Sequence, residues 1–164
     1  MKTAWLMGLG LMVASAAVGA QEAEVSGTVV VPAGKQFPRY ATLKNGDVNV
    51  RSGPGNEYPI LWIYQRAGYP VQLLARYDNY YKVKDAEAEE GWVYVGMVSA
   101  QKGGLVVGTQ PAVLYRKDDV ASAMVAKLAP GVVVSLDRCE GALCKVETSG
   151  YKGWVEKARL GMVD

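Results

Sequence analysis

The segment 48–55, Val-Asn-Val-Arg-Ser-Gly-Pro-Gly, places a short β-rich run directly before a turn of glycine and proline. Four further β-rich runs follow it, with turn residues between them, at 60–65, 71–76, 80–84 and 91–95. Short strands at intervals of roughly 8 to 12 residues are typical of an all-β barrel or sandwich. Within 60–65 aliphatic and aromatic residues alternate, so a strand would place them on opposite faces.

The same pattern recurs in the second half of the chain. Gly68 and Val71 match Gly131 and Val134, Lys82-Val83 matches Lys145-Val146, and Gly91-Trp92-Val93 matches Gly153-Trp154-Val155. These matches keep their spacing in both halves to within one residue. The sequence therefore predicts two copies, 39–100 and 104–164, joined by Gln101-Lys102-Gly103-Gly104. Each has about 60 residues, which is marginal for independent stability, and 21–38 is predicted to be a linker or an edge extension.

One segment of the second copy carries a competing pattern. Apolar side chains between Val120 and Leu128 recur at helical spacing after Asp118-Asp119, which suits a helix start. The alignment of the two copies instead places 124–128 opposite 60–64. We therefore predict a loop followed by a strand here.

The N-terminus has the layout of a secretory signal peptide. Lys2 is followed by an almost wholly apolar, uncharged stretch over 4–18, and small residues lead up to Ala20. The sequence predicts a signal peptide over 1–20, cleavage after Ala20, and a periplasmic or secreted mature chain. The apolar stretch is short of the roughly 20 residues that cross a bilayer, so no integral membrane segment is expected in the mature chain. A retained N-terminal anchor is the alternative.

Composition excludes several classes of function. The chain has 18 Lys and Arg against 16 Asp and Glu, a net charge of +2, and no run of basic residues. Nucleic acid is therefore not an expected partner, because phosphate binding needs a concentrated basic face. The chain has no histidine, which removes the commonest general base, the Ser-His and Cys-His nucleophile pairs, and the commonest zinc ligand. We predict no catalytic residues, no metal and no cofactor.

Cys139 and Cys144 are the two cysteines of the chain. The four residues between them suit a tight hairpin, in which facing Cα atoms lie roughly 4.5 to 5.5 Å apart, within disulfide range. Export would expose both thiols to an oxidising compartment. We predict a disulfide that staples one hairpin; a pair of free buried thiols is the alternative.

Three motifs of the first copy together resemble the bacterial SH3-like (Src-homology-3-like) domain family. They are the segment 48–55 followed by Tyr58-Pro59, then Tyr81-Lys82-Val83, then Gly91-Trp92-Val93. The second copy keeps Arg116, Pro130-Gly131, Cys144-Lys145-Val146 and Gly153-Trp154-Val155, but its first loop, 117–120, lacks the Gly-Pro-Gly element. The resemblance implies an all-β fold of two tandem small SH3-like β-barrels. It also implies a targeting or assembly module of the cell envelope, with cell-wall peptides or envelope proteins as partners.

The first copy carries the candidate ligand-binding residues. Gly53-Pro54-Gly55 joins two permissive backbones to one fixed φ, so the loop can hold one shape. Aromatic residues with polar tips would form a wall suited to extended peptides; they are Tyr58, Trp62, Tyr64, Tyr80 and Tyr81. Arg51 is a candidate for a ligand carboxylate or for an adjacent acidic loop.

Two tryptophans and an acidic run are not expected to bind a ligand. Trp92 and Trp154 lie in predicted strands and are expected to be core residues. The acidic run 85–90 lacks the ligand spacing and turn glycine of a calcium loop, so solvated charge is expected there.

The sequence is compatible with three functions. The favoured one is a non-catalytic periplasmic binding module for peptides or peptidoglycan stem peptides. The alternative is a protein–protein scaffold or regulator of an envelope hydrolase or transport complex. An enzyme acting on the cell wall is the third, and its cysteine-peptidase form would need the histidine that the chain lacks.

Overall fold

The computed structural model describes residues 36–163. The predicted signal peptide and cleavage site, and the predicted linker or extension up to residue 35, lie outside the described residues. Within 36–163 no helix is long and apolar enough to cross a membrane.

The first half of the described chain forms one seven-stranded antiparallel sheet. Its strands are β1 (Arg39–Leu43), β2 (Val48–Arg51), β3 (Ile60–Tyr64), β4 (Pro70–Tyr77), β5 (Tyr80–Lys84), β6 (Glu90–Tyr94) and β7 (Val98–Ser99), with a 3₁₀ turn at Val95–Met97. Their order in the sheet is β3-β2-β6-β5-β4-β1-β7. We call this unit the first barrel.

The second half repeats the arrangement strand for strand. Its strands are β8 (Gly103–Val106), β9 (Ala112–Tyr115), β10 (Met124–Leu128), β11 (Val133–Glu140), β12 (Leu143–Thr148), β13 (Tyr151–Glu156) and β14 (Leu160–Gly161), with a 3₁₀ turn at Lys157–Arg159. Their order, β10-β9-β13-β12-β11-β8-β14, is that of the first sheet. This unit, the second barrel, confirms the predicted all-β fold and repeat, and residues 124–128 are a strand.

Each barrel encloses its own core because strand residues alternate in direction. In the first barrel Val48 and Val50 of β2 are buried, and so are Val71, Val83 and Val93 of the neighbouring strands. β-Branched side chains suit a pleated surface packed on one side. The second barrel has a separate apolar cluster of its own. The outward residues of each strand are therefore free to form surface sites.

One equivalent pair of cross-strand positions is joined by a different contact in each barrel. In the second barrel Cys139 faces Cys144 across the β11–β12 hairpin, and the two form the predicted disulfide. In the first barrel Arg76 faces Tyr81 at the same place in the β4–β5 hairpin. The Arg76 guanidinium lies 5.8 Å from the centre of the Tyr81 ring, a cation–π contact. A covalent link and a stacked pair thus occupy equivalent positions.

The two barrels are joined by hydrogen bonds on both sides of the joint. Thr42 Oγ1 donates to the carbonyl of Gln101 at 3.1 Å, and Gln101 Nε2 donates to Ser135 Oγ at 2.8 Å. Farther away, Arg66 Nη1 of the first barrel donates to the carbonyl of Gly131 of the second at 2.8 Å. These contacts link the barrels at two separate points.

Candidate functional site

The loop between β2 and β3 is folded back on itself by Arg51. Its Nη1 donates to the carbonyl of Asn56 at 3.1 Å and to the carbonyl of Tyr58 at 2.7 Å. A Cβ built on Gly53 would overlap the ring of Tyr58, so this ring can lie on the loop only because position 53 is glycine. The guanidinium and the aromatic ring together hold the loop in one shape.

A cleft of about 250 Å³ lies beside this loop on the outer surface of the first barrel. It is lined by Asp47, Asn49, Arg51, Asn56, Tyr80, Tyr94 and Met97. Tyr80 donates its hydroxyl to Asn56 Oδ1 at 2.8 Å, and the rings of Tyr80 and Tyr94 meet edge to face with centres 5.9 Å apart. One wall is therefore polar and the other is aromatic. We call this site the loop cleft.

The polar wall carries one charge of each sign. Arg51 uses Nη1 on the loop carbonyls, and within 36–163 its guanidinium makes no other hydrogen bond or ion pair, so further donors remain for a ligand carboxylate. Asp47 is exposed and lies just before β2, four positions from Arg51. At about 3.3 Å per extended residue, the Cα atoms of the two residues are at most roughly 13 Å apart. This wall is complementary to an extended ligand with an acidic and a basic group.

The predicted aromatic wall is divided among three places. Arg51 and Tyr80 line the loop cleft, and Tyr58, which is 40% exposed, lies on the adjacent loop. Trp62 and Tyr64 point inward against the first core, while Leu61 and Ile63 carry the exposed side of β3. The alternation predicted for 60–65 is thus present, but its aromatic side is the inner one.

Tyr81 is also placed differently from the prediction of a ligand-binding wall. It is a member of the first core cluster and is 6% exposed. Its neighbour Tyr80 points outward because successive strand residues face opposite sides of the sheet. Tyr81 is therefore a packing residue.

Trp92 and Trp154 occupy equivalent positions of the two copies and lie on the outer faces of their strands. In the sheet, Trp92 pairs with Arg51 of β2 and with Lys82 of β5. It is half-buried and lies outside the first core cluster. It is therefore not the core residue that the sequence predicts. Trp154 is 7% exposed, and the guanidinium of Arg138 covers it at 5.3 Å from the ring centre.

The acidic run 85–90 is fixed by hydrogen bonds instead of being simply solvated. Asp85 Oδ1 accepts the backbone N–H groups of Glu87 and Glu89 at 3.0 and 2.9 Å, and its Oδ2 accepts the Tyr64 hydroxyl at 2.9 Å. The Tyr69 hydroxyl donates to Glu87 Oε2 at 3.2 Å. Asp85 is only 6% exposed, which departs from the prediction of solvated charge at this position.

Burial and these carboxylates raise the pKa values of two tyrosine hydroxyls. Burial, followed by the hydrogen bond and charge of Asp85, raises the pKa of Tyr64 well above its ordinary value. Burial, followed by the charge and hydrogen bond of Glu87, raises the pKa of Tyr69 to about 12. Both hydroxyls therefore remain protonated donors at neutral pH. They tie the acidic loop to the aromatic pair, and no residue of the loop cleft takes part.

Sequence reasoning missed five residues of the cleft, namely Asp47, Asn49, Asn56, Tyr94 and Met97. The alternation of β2 already places Asn49 on the same face as Arg51, and that signal was available in the sequence. Asn56, Tyr94 and Met97 come from a loop, another strand and a 3₁₀ turn. Their meeting depends on the closed sheet.

Among the described residues of the second barrel, 103–163, different side chains occupy the positions equivalent to those of the loop cleft. The strand registers place Tyr115 where the first barrel has Arg51, and Leu143 and Glu156 where it has Tyr80 and Tyr94. Arg116, which the sequence motifs match to the first copy, lies one position after Tyr115. Arg159 replaces Met97 in the 3₁₀ turn and donates to the carbonyl of Gln110. The side chains that form the polar and aromatic walls of the first barrel are therefore not repeated at these positions of the second.

Comparison with known proteins agrees with this architecture. The family model described as "Bacterial SH3 domain" matches residues 44–100 and 108–161, together more than half of the chain. Among curated proteins, none matches the sequence.

Two of the solved structures to which the chain is similar are the following. NlpC2 from Trichomonas vaginalis is 15% identical with a TM-score of 0.35, over 79% of this chain and 51% of that one. An NlpC/P60 family protein from Bacillus cereus is 11% identical with a TM-score of 0.34, over 74% of this chain and 55% of that one. The chain spans about half the length of these structures.

Proposed function

The chain belongs to the bacterial SH3 domain family, and we propose on this basis that it is a non-catalytic binding protein of the cell envelope. The first barrel binds a peptide in the loop cleft, and peptidoglycan stem peptides are the class of ligand proposed. The observation that carries this proposal is the cleft itself, with Arg51 and Asp47 on one wall and Tyr80 and Tyr94 on the other.

The chemistry of the cleft supports binding more than catalysis. Its side chains supply amides, one carboxylate, one guanidinium and two phenol rings, and none of them is serine, cysteine or histidine. A loop already held by Arg51 loses little conformational entropy when a ligand docks on it. A peptide with both charges satisfies Arg51 and Asp47 while its apolar parts cover Tyr94.

The disulfide supports a location outside the cytoplasm. Cys139 and Cys144 are joined, and structural disulfides persist in oxidising compartments such as the periplasm. Together with the predicted signal peptide, this supports the proposal of a periplasmic or secreted protein.

Sedimentation with purified sacculi tests the function. We expect the mature chain to sediment with them and Tyr94→Ala to weaken binding about tenfold, since a lost aromatic contact is worth about 1 to 1.5 kcal/mol. Asp47→Asn, which keeps the left-handed backbone tolerated by asparagine (φ 56°), should weaken it as well. Tyr151→Ala is the matched control, because Tyr151 of the second barrel is 54% exposed against 47% for Tyr94.

Other outcomes point to the other functions. If the wild-type chain stays in solution and cross-linking in cells repeatedly captures one envelope protein, the scaffold or regulator function replaces the wall-binding one. Release of soluble wall fragments by the purified chain would identify an enzyme.

A further inference from the structure

A second concave site lies between the two barrels. It encloses about 640 Å³ and is lined by Ile63, Tyr64, Gln65, Arg66, Tyr69, Glu87, Leu105 and Gly131. The first six belong to the first barrel and the last two to the second. The hydrogen bond from Arg66 to the Gly131 carbonyl, 2.8 Å long, crosses this site and fixes its walls. We call it the interbarrel groove.

The apolar part of the groove is held in place from behind. The rings of Tyr64 and Tyr69 stack with centres 5.0 Å apart and planes 25° apart, and their hydroxyls are held by Asp85 and Glu87. Ile63 and Leu105 add aliphatic surface from opposite barrels. A ligand would meet a fixed aromatic and aliphatic surface here, which lowers the entropy lost on binding.

The groove and the loop cleft are adjacent along strands β2 and β3. Asn49 of the cleft pairs with Ile63 of the groove across β2 and β3, and neighbouring strands are about 4.8 Å apart. A Cβ at Gly46 would lie 3.1 Å from the carbonyl oxygen of Gln65, so the chain beside Asp47 also touches the groove wall. The Asp47 end of the cleft therefore lies next to the groove.

Strand β3, which lies between the two sites, has an exposed aliphatic surface. Ile60, Leu61 and Ile63 are 46%, 50% and 48% exposed, and β3 is at the edge of its sheet. The equivalent edge strand of the second barrel, β10, has Lys127 at the position of Ile63. Lysine on an edge strand discourages contact with other chains. The first barrel lacks this protection where the groove begins.

We propose that the loop cleft and the interbarrel groove form one continuous binding track, and that its ligand is an extended polypeptide segment with an aliphatic side chain placed between Ile63 and Leu105. This inference rests on the proposed function, because it takes the loop cleft as one end of the track. From Arg51 to the chain at Gly46 the track is at most roughly 17 Å long, at about 3.3 Å per extended residue. With the groove added, the segment needs about six or more residues, so a stem peptide would occupy only the cleft end of the track.

Charge sets the polarity of the ligand along the track. Arg51 lies at one end, Asp47 near the middle and Arg66 in the groove. Within 36–163 Arg66 makes its hydrogen bond to Gly131 and no ion pair, so its second Nη can receive a ligand carboxylate. Glu87, the acidic group of the groove, already accepts from Tyr69. The second barrel completes the site by supplying Leu105 and the carbonyl that positions Arg66.

Peptide selection followed by calorimetry tests the track. Displayed peptides of about twelve residues, long enough to span it when extended, are selected on the full mature chain, and the most enriched peptide is synthesised. Its Kd is then measured for the wild type, Ile63→Lys, Leu105→Lys and Tyr94→Ala. Ile63→Lys should fold normally, because lysine already occupies the equivalent position 127. Met124→Lys is the matched control, since Met124 is the 55% exposed counterpart of Ile60 in the second barrel.

We expect Ile63→Lys, Leu105→Lys and Tyr94→Ala each to raise the Kd about tenfold or more, and Met124→Lys to leave it unchanged. If only Tyr94→Ala weakens binding, the track is wrong while the proposed cleft function stands. If only the groove variants weaken binding, the cleft function fails and the two sites are not one track. If no peptide is enriched although the chain sediments with sacculi, the track is overturned and the proposed cleft function stands.

Discussion

At the scale of single residues, Gly53 and Arg51 decide whether the loop cleft exists. Arg51 lies on the outer face of β2 and reaches two loop carbonyls, so its guanidinium both shapes the loop and lines the cleft. Sequence alone left open whether it would hold a ligand or a loop. The structure shows that one nitrogen serves the loop, and the rest of the group remains available for a carboxylate.

Substitution at Gly53 should show how far the loop depends on close packing. Gly53→Ala places a methyl group against the Tyr58 ring and should lower the free energy of unfolding by about 1 to 3 kcal/mol, the range for overpacking. In a Tyr58→Ala background the same substitution should cost much less, because the ring that it meets is gone. Urea unfolding of the four proteins of this double-mutant cycle gives the coupling energy. A cost that is equal in both backgrounds would show that the ring does not limit position 53.

At the scale of elements, equivalent hairpins of the two barrels use different chemistry at the same pair of positions. In the β4–β5 hairpin the guanidinium of Arg76 lies 5.8 Å from the centre of the Tyr81 ring. The guanidinium of Arg39 lies at the same distance from this ring. Cys139 and Cys144 are bonded in the β11–β12 hairpin. A stacked pair also buries aromatic surface, whereas a disulfide acts mainly on the unfolded chain.

Reduction of the disulfide should therefore weaken the second barrel without unfolding it. The cross-link closes a loop of few residues, so chain-entropy reasoning gives a loss of about 2 kcal/mol in the free energy of unfolding. Urea unfolding with and without a thiol reductant, followed by NMR signals of each barrel, measures this. First-barrel signals such as those of Tyr80 serve as the internal control. Complete unfolding of the second barrel on reduction would contradict the prediction.

Edge strand β3 shows how one irregular residue changes which side chains face outward. Ile60 pairs with Arg51 and Trp62 pairs with Val50, so Leu61 is an extra residue that forms a bulge. Because of this bulge Ile60 shares the outward face with Ile63 instead of pointing inward with Trp62. The exposed aliphatic surface of the binding track depends on this shift.

At the scale of the whole molecule, the contacts at the joint decide whether the barrels move as one body. Two barrels joined by a short connection would ordinarily move relative to each other unless an interface holds them. Here Arg66 contacts the Gly131 carbonyl on one side and Gln101 contacts Ser135 on the other. The interbarrel groove needs both contacts to keep its shape.

The double variant Arg66→Ala, Gln101→Ala should uncouple the barrels. Each exposed hydrogen bond is worth only about 0.5 to 1.5 kcal/mol, so both barrels should stay folded while their rotational correlation times, from ¹⁵N relaxation, fall and diverge. Arg116→Ala is the control, because Arg116 is an exposed arginine of the second barrel away from the joint. Unchanged relaxation in the double variant would show that the close packing of Gly103 against Thr42 is sufficient to hold the joint.

The amino-acid sequence by itself determined the local features of this protein and their repetition. Strand alternation, turn glycines and the spacing of Gly91-Trp92-Val93 and its counterpart in the second half predict two all-β copies, since each depends on neighbours along the chain. The Cys139–Cys144 disulfide was predictable for the same reason, because two cysteines so close in sequence can face each other in one hairpin.

Only the tertiary structure decided which side chains share a site. The loop cleft joins Arg51 and Asn56 to Tyr80, Tyr94 and Met97, which come from separate strands and turns. The inward direction of the β3 aromatic residues follows from sheet closure around the first core, and alternation alone leaves open which face is the inner one. Sequence patterns specify a period along one strand, whereas a binding site is set by which strands become neighbours and which of their faces the core occupies.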